Sequence, residues 1–108
     1  MHPCEQLILE RMKTTRLEYN RLHDILCSGE GVGSPLTTKY VVLPEPFFET
    51  KAAVYEHILD RYLFMRQLRA CIERSRILRE VKPHLPEEIL YEIVTHDIKA
   101  TDINLINN

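Results

Sequence analysis

The sequence predicts a small all-α domain, and three observations carry that expectation. Apolar residues recur at alternating spacings of three and four along two long stretches, which aligns them on one face of a helix. The glycines Gly29, Gly31 and Gly33 all fall in one short segment between those stretches. The stretch richest in β-branched residues, TTKYVVLPEPFF, is cut by Pro44 and Pro46 and has no second strand to pair with. At 108 residues the chain has room for one core and for no separate catalytic unit, so residues 1–108 are expected to form a single domain.

The first helix is predicted over residues 3–28. Ile8, Met12, Thr15, Tyr19, Leu22 and Leu26 share a face, and Pro3 suits a first turn that has no use for its missing N–H. SGEGVGSP then stops the helix and supplies a flexible joint. TTKYVVLPEPFF reads as an extended connector, with Phe47 and Phe48 anchoring the next helix. That second helix starts near Thr50 or Lys51 and runs to about Val81, with Val54, Ile58, Tyr62, Met65, Leu68 and Ile72 on one face. Leu59, Leu63, Cys71 and Leu78 widen that stripe, which predicts packing against more than one element. Lys82-Pro83 ends it, because a residue before proline avoids helical angles. A short helix comes after Pro86, from Glu87 to about Thr95, with Ile89, Leu90, Ile93 and Val94 as its apolar side. Its two leading glutamates sit where the positive end of the helix dipole favours them. A last turn is expected at the end, capped by Thr101 or Asp102 and carrying Ile103, Leu105 and Ile106.

The net charge is −2 and acids are interleaved with bases, so no nucleic-acid footprint stands out. No apolar stretch reaches the roughly 20 residues a membrane span requires, and the first residues are too charged for a signal peptide. Cys4, Cys27 and Cys71 are far apart and odd in number, which fits buried thiols in a reducing compartment. A cytoplasmic protein, with the nucleus also open to it, is the expectation.

Few residues fall in patterns that carry chemistry. His2, His23, His57, His84 and His96 show no metal-ligand spacing, so no metal and no cofactor are expected. Cys71 and His57, as nucleophile and base, would lie about four helical turns or roughly 20 Å apart. Glu87-Glu88 reads as a solvated pair at a helix start rather than an acid/base couple. GEGVG lacks the lysine and helix of a phosphate loop. Arg61, Arg66, Arg69, Arg74, Arg76 and Arg79 spread around the second helix among acids and read as solvated surface. No enzymatic activity is expected.

The sharpest motif is HLPEEILYEIV, followed by THDIKATDINLINN. Leu85-Pro86, Glu88-Ile89 and Ile93, then Ile98 and Asp102-Ile103-Asn104-Leu105, resemble the first half of an F-box, with one extra residue between Val94 and Ile98. A shortened F-box over residues 84–108 resembles the PRANC domain, the C-terminal module of many poxvirus ankyrin-repeat proteins. Met12-Lys13-Thr14 and Leu22, Asp24, Ile25 and Leu26 resemble the opening of that domain. No ankyrin signature occurs in these residues.

The resemblance implies two long helices plus short F-box-like helices, and docking on the Skp adaptor of an SCF-type cullin-RING ubiquitin ligase. Such a protein would act by proximity, raising a target's effective concentration near the ligase, whether to direct ubiquitination or to subvert host signalling. The target itself is unknown from sequence. The implied partner-binding residues are Leu85, Pro86, Ile89, Leu90, Ile93, Val94, Ile98 and Ile103, acting as a helix laid in a partner's groove. Of these, Leu85, Pro86 and Leu90 are expected to face the partner, and Ile89 and Ile93 to be shared with the core. The same residues could instead simply close the core. An elongin-type box is not met, since Leu68 and Cys71 are three apart rather than four. A helical interaction or dimerisation module, pairing two chains through the stripe of residues 8–26, remains the alternative.

Overall fold

The computed structural model describes residues 2–29 and 48–98. The connector with its Phe47, and the final turn with Thr101, Asp102, Ile103, Leu105 and Ile106, lie outside the described residues. Three helices are present among the described residues: α1 (Pro3–Ser28), α2 (Lys51–Val81) and α3 (Glu87–Thr95). These bounds agree with the expected ones, because each end is written locally. Gly29 adopts φ 75°, the left-handed conformation glycine tolerates, and returns its N–H to the Ile25 carbonyl at 2.8 Å. Thr50 caps α2 by accepting from the Ala53 N–H at 3.2 Å. Lys82, held at φ −131° ahead of Pro83, ends it.

α1 and α2 pack antiparallel, since Glu5 meets Arg76 near one end and Glu18 meets Arg61 further along. α3 lies across the end where α1 begins and α2 finishes. Two apolar clusters result. One joins Cys4 and Ile8 to Phe64, Leu68, Cys71 and Ile72, with Leu90 and Val94 from α3 completing it. The other holds Leu22 and Ile25 of α1 against Phe48 and Val54. Phe48 thus anchors the start of α2 as expected.

Buried Thr15, Glu18 and Arg61 lie on the helix faces between the two clusters. Arg61 is only 2% exposed, which corrects its reading as solvated surface. Its Nη1 reaches Glu18 Oε1 at 3.4 Å, its Nη2 reaches Asp60, and its guanidinium stands over the Phe64 ring at 5.3 Å. The expected α2 stripe is buried at Val54, Met65, Leu68 and Ile72, but Arg61 and Phe64 join that orientation while Tyr62 and the widening Leu59 and Leu63 are exposed. Apolar periodicity alone cannot find that orientation when the inward position between Val54 and Met65 is filled by a charge. On α1 the same rule leaves Cys4, Glu5 and Glu18 out of the inner face, where the structure buries them. The stripe that the alternative reading would pair between two chains buries Ile8, Thr15 and Leu22 within one chain.

Burial pushes the Glu18 carboxyl above its usual value, and the neighbouring Arg61 pulls it back only in part. A single loss of Arg61 leaves that carboxylate buried without its cation. Arg61→Ala should lower the unfolding free energy by about 3–5 kcal/mol in urea titrations, and Leu59→Ala by no more than about 0.5 kcal/mol. A carboxyl whose folded pKa is raised contributes stability below its unfolded value and loses it as pH rises through the folded value. The deficit of Arg61→Ala should therefore be largest at neutral pH and shrink on acidification.

Candidate functional site

The site centres on α3 and the turn that delivers it. After α2 ends, the Leu85 N–H donates to the Lys82 carbonyl at 3.2 Å, closing a tight turn over Pro83 and His84. Pro86 at φ −59° and ψ 146° occupies the N-cap position, and its carbonyl accepts from the Leu90 N–H at 2.9 Å. A proline there fixes the approach angle and brings no donor that needs a partner.

Glu87, the first residue of α3, ties three helix ends together. One carboxylate oxygen accepts from the Cys4 N–H at 3.3 Å, an amide in the first turn of α1 that has no acceptor within its own helix. The other pairs with Arg79 in the last turn of α2, with His2 Nδ1 3.8 Å away. Hydrogen bonding from Arg79, above all, holds this carboxyl below the usual carboxylate range. The expectation of a merely solvated pair holds for Glu88, which is exposed, and is corrected for Glu87.

The inner face of α3 is fixed by further contacts. Leu90 and Val94 are each 1% exposed and sit in the first apolar cluster. The Val94 carbonyl accepts from the Cys71 thiol at 2.9 Å and from Arg74 Nη1 at 3.4 Å, so α2 supplies donors to the open end of α3. Arg11 Nη1 of α1 donates to the Tyr91 hydroxyl at 3.1 Å. Leu85, Tyr91 and Ile98 pack partly buried around the same cluster. Burial pushes the Cys4 and Cys71 thiols up, away from reactive thiolates.

The outer face is different. Ile89 is 44% exposed and Ile93 48%, one turn apart on the same side of α3, with exposed Pro86 three residues before Ile89. The expected division of labour is thus inverted. Leu90, expected outside, belongs to the core together with Val94; Ile89 and Ile93, expected to be shared with the core, face outward. The i, i+1, i+4, i+5 pattern is compatible with either side being inner, and the choice is made by tertiary contacts of α3, the Glu87 tether and those of Tyr91 and Val94 among them. Ile103 lies outside the described residues. Sequence spacing gives no sign of the role of Glu87, because its partners stand 83 and 8 residues away.

No group of three metal-ligating side chains gathers among the described residues, and no described helix is long and apolar enough to cross a membrane. No family model, curated protein or solved structure matches the chain.

Replacing Glu87 by glutamine keeps the shape but removes the charge that Arg79 and the Cys4 amide meet. Amide hydrogen exchange in α3 should accelerate in Glu87→Gln by at least about tenfold, the factor for about 1.4 kcal/mol of opening free energy, with the middle of α2 unchanged. A carboxylate with a depressed folded pKa gives stability above its unfolded value that is lost as pH falls through the folded one. Thermal unfolding curves should therefore converge for the two proteins at acid pH and separate toward neutrality.

Proposed function

We propose that this chain is a non-catalytic adaptor that docks onto the Skp subunit of an SCF-type cullin-RING ubiquitin ligase through the outer face of α3. The observation that carries the reading is the pair Ile89 and Ile93, standing out from a helix whose opposite side is locked into the core. Exposed β-branched side chains on a short, rigid helix lose little rotamer freedom when a groove receives them. Pro86 sets the angle at which they are offered. The likeness of HLPEEILYEIV to an F-box opening supplies the identity of the groove, and the PRANC likeness supplies the context of a shortened box.

In this reading the contact residues are Pro86, Ile89 and Ile93. Leu85 supports the turn from its half-buried position, and Leu90, Val94 and Ile98 hold the helix rather than the partner. The protein itself transfers nothing. Its contribution is to hold a bound target near a loaded ubiquitin-conjugating enzyme, where effective concentration does the rest.

A pull-down of the purified chain on a purified Skp–cullin complex tests this. Ile89→Asp/Ile93→Asp should abolish retention at micromolar concentration while circular dichroism and Tm stay near wild type. Leu90→Ala should instead cost about 2–5 kcal/mol of stability, because it opens a cavity in the core. Retention of the doubly charged variant at wild-type level would contradict the assignment.

A further inference from the structure

On the flank of the α1–α2 pair away from α3 lies a second surface, a groove of about 670 Å³. Met65, Met12 and Tyr19, buried or half-buried, line it most deeply, and Leu9 and Tyr62 are exposed along its sides. Its rims are cationic on both walls: Lys13 and Arg16 on α1, Arg66 and Arg69 on α2. None of these four makes an ion pair among the described residues, although the chain carries a net charge of −2. Arg66 is held over the Tyr62 ring at 6.0 Å, and Glu73 lies beside the groove in a small hollow shared with Arg66 and Arg69.

We infer that this groove binds an acidic amphipathic helix of a partner protein. Charge complementarity selects the occupant. Negative groups must flank both sides of an apolar strip to meet two cationic rims across an apolar floor, and a helix with one apolar stripe bordered by Asp and Glu has that layout. From Leu9 to Tyr19 the groove runs about 15 Å at ~1.5 Å per residue, which fits about three helical turns. Methionines on the floor can repack around leucine, isoleucine or phenylalanine. A bilayer would meet projecting apolar side chains on a convex face, but Met65 is buried at the bottom of a concave one. A nucleic-acid strand would stack on the tyrosines but leave Leu9, Met12 and Met65 without a matching apolar surface.

At about 100° per residue, the side chains of α1 and α2 that reach α3, Arg11, Cys71 and Arg74, point away from those lining the groove. Both surfaces can therefore be occupied together. On the adaptor reading this groove is the surface that recruits the target; the binding of an acidic helix does not rest on that reading.

The test is fluorescence anisotropy of a labelled peptide of about 14 residues with leucines at i, i+3, i+4 and i+7 and glutamates on either side of that stripe, titrated with the full chain. Saturable binding is expected, weakened at least about tenfold by Arg66→Glu/Arg69→Glu or Lys13→Glu/Arg16→Glu, and by raising salt from about 50 to about 500 mM. A peptide of the same composition without the stripe should lose it. All four cations are exposed, so circular dichroism should confirm folded variants. Absence of saturable binding to the striped peptide would overturn the proposal. So would equal binding of the scrambled peptide, indifference to both charge reversals, or tighter retention on phosphatidylserine vesicles or oligothymidine than on the peptide. Ile89→Asp/Ile93→Asp should bind the peptide as wild type does, which separates failure of this site from failure of the α3 site.

Discussion

The carboxylate of Glu87 is the constraint on which the rest of this structure turns. A nine-residue helix has too little of its own cooperativity to persist in water, so α3 exists because something external holds it. Glu87 does so at the point where α1 begins, α2 ends and α3 begins, giving an acceptor to an orphan amide of the first and a counter-ion to Arg79 of the second. That contact also orients α3 about its own axis. Once Glu87 faces the α1–α2 junction, Leu90 and Val94 must turn inward and Ile89 and Ile93 outward, since their positions around the helix are fixed by its pitch. Cys71 and Arg74 then secure the other end of α3 through the Val94 carbonyl.

Between the two apolar clusters, Glu18 and Arg61 act on a different variable, the register of α1 against α2. Two long helices with broad apolar faces could slide by a turn and still bury leucines against leucines. A buried cation with one matching carboxylate across the interface penalises every slip, because each leaves a charge without a partner. The aromatic contact of Arg61 and Arg11 on Phe64, at 5.3 and 5.1 Å, adds a second condition on the same alignment. Register in turn decides whether Lys13 and Arg16 stand opposite Arg66 and Arg69, so the cationic groove is a consequence of the polar layer and not a separate feature.

Much of the fold is legible in the sequence because its signals are local. Pro3, the Ser28-Gly29 stop, Thr50 and Lys82-Pro83 mark helix ends through backbone preferences that act within a few residues, and the observed bounds agree with them. Orientation is legible only in part, since Ile8, Leu22, Val54, Met65, Leu68 and Ile72 are buried as their spacing predicts but other positions are not. Leu59, Tyr62 and Leu63 have the spacing of a core stripe and lie outside, while Arg61, a residue type seldom buried, lies inside because Glu18 of α1 meets it. The same limit acts on α3, where Leu90 and Ile89 are neighbours of similar hydrophobicity and only contacts with residues elsewhere in the chain, such as Cys4, Arg11 and Cys71, separate their roles. The groove is hidden for a related reason. Its cations look scattered along each helix and gather only when two antiparallel helices are aligned.

In the proposed function, α3 presents Ile89 and Ile93 to a Skp-type partner while Leu90 and Val94 stay in the core. Methyl NMR of selectively labelled protein titrated with the Skp adaptor addresses it directly. Shifts are predicted to concentrate on the Ile89 and Ile93 methyls, with nuclear Overhauser contacts from Leu90 and Val94 to the α2 core preserved throughout. Loss of those inner contacts on binding, or an unchanged spectrum at saturating adaptor, would contradict it.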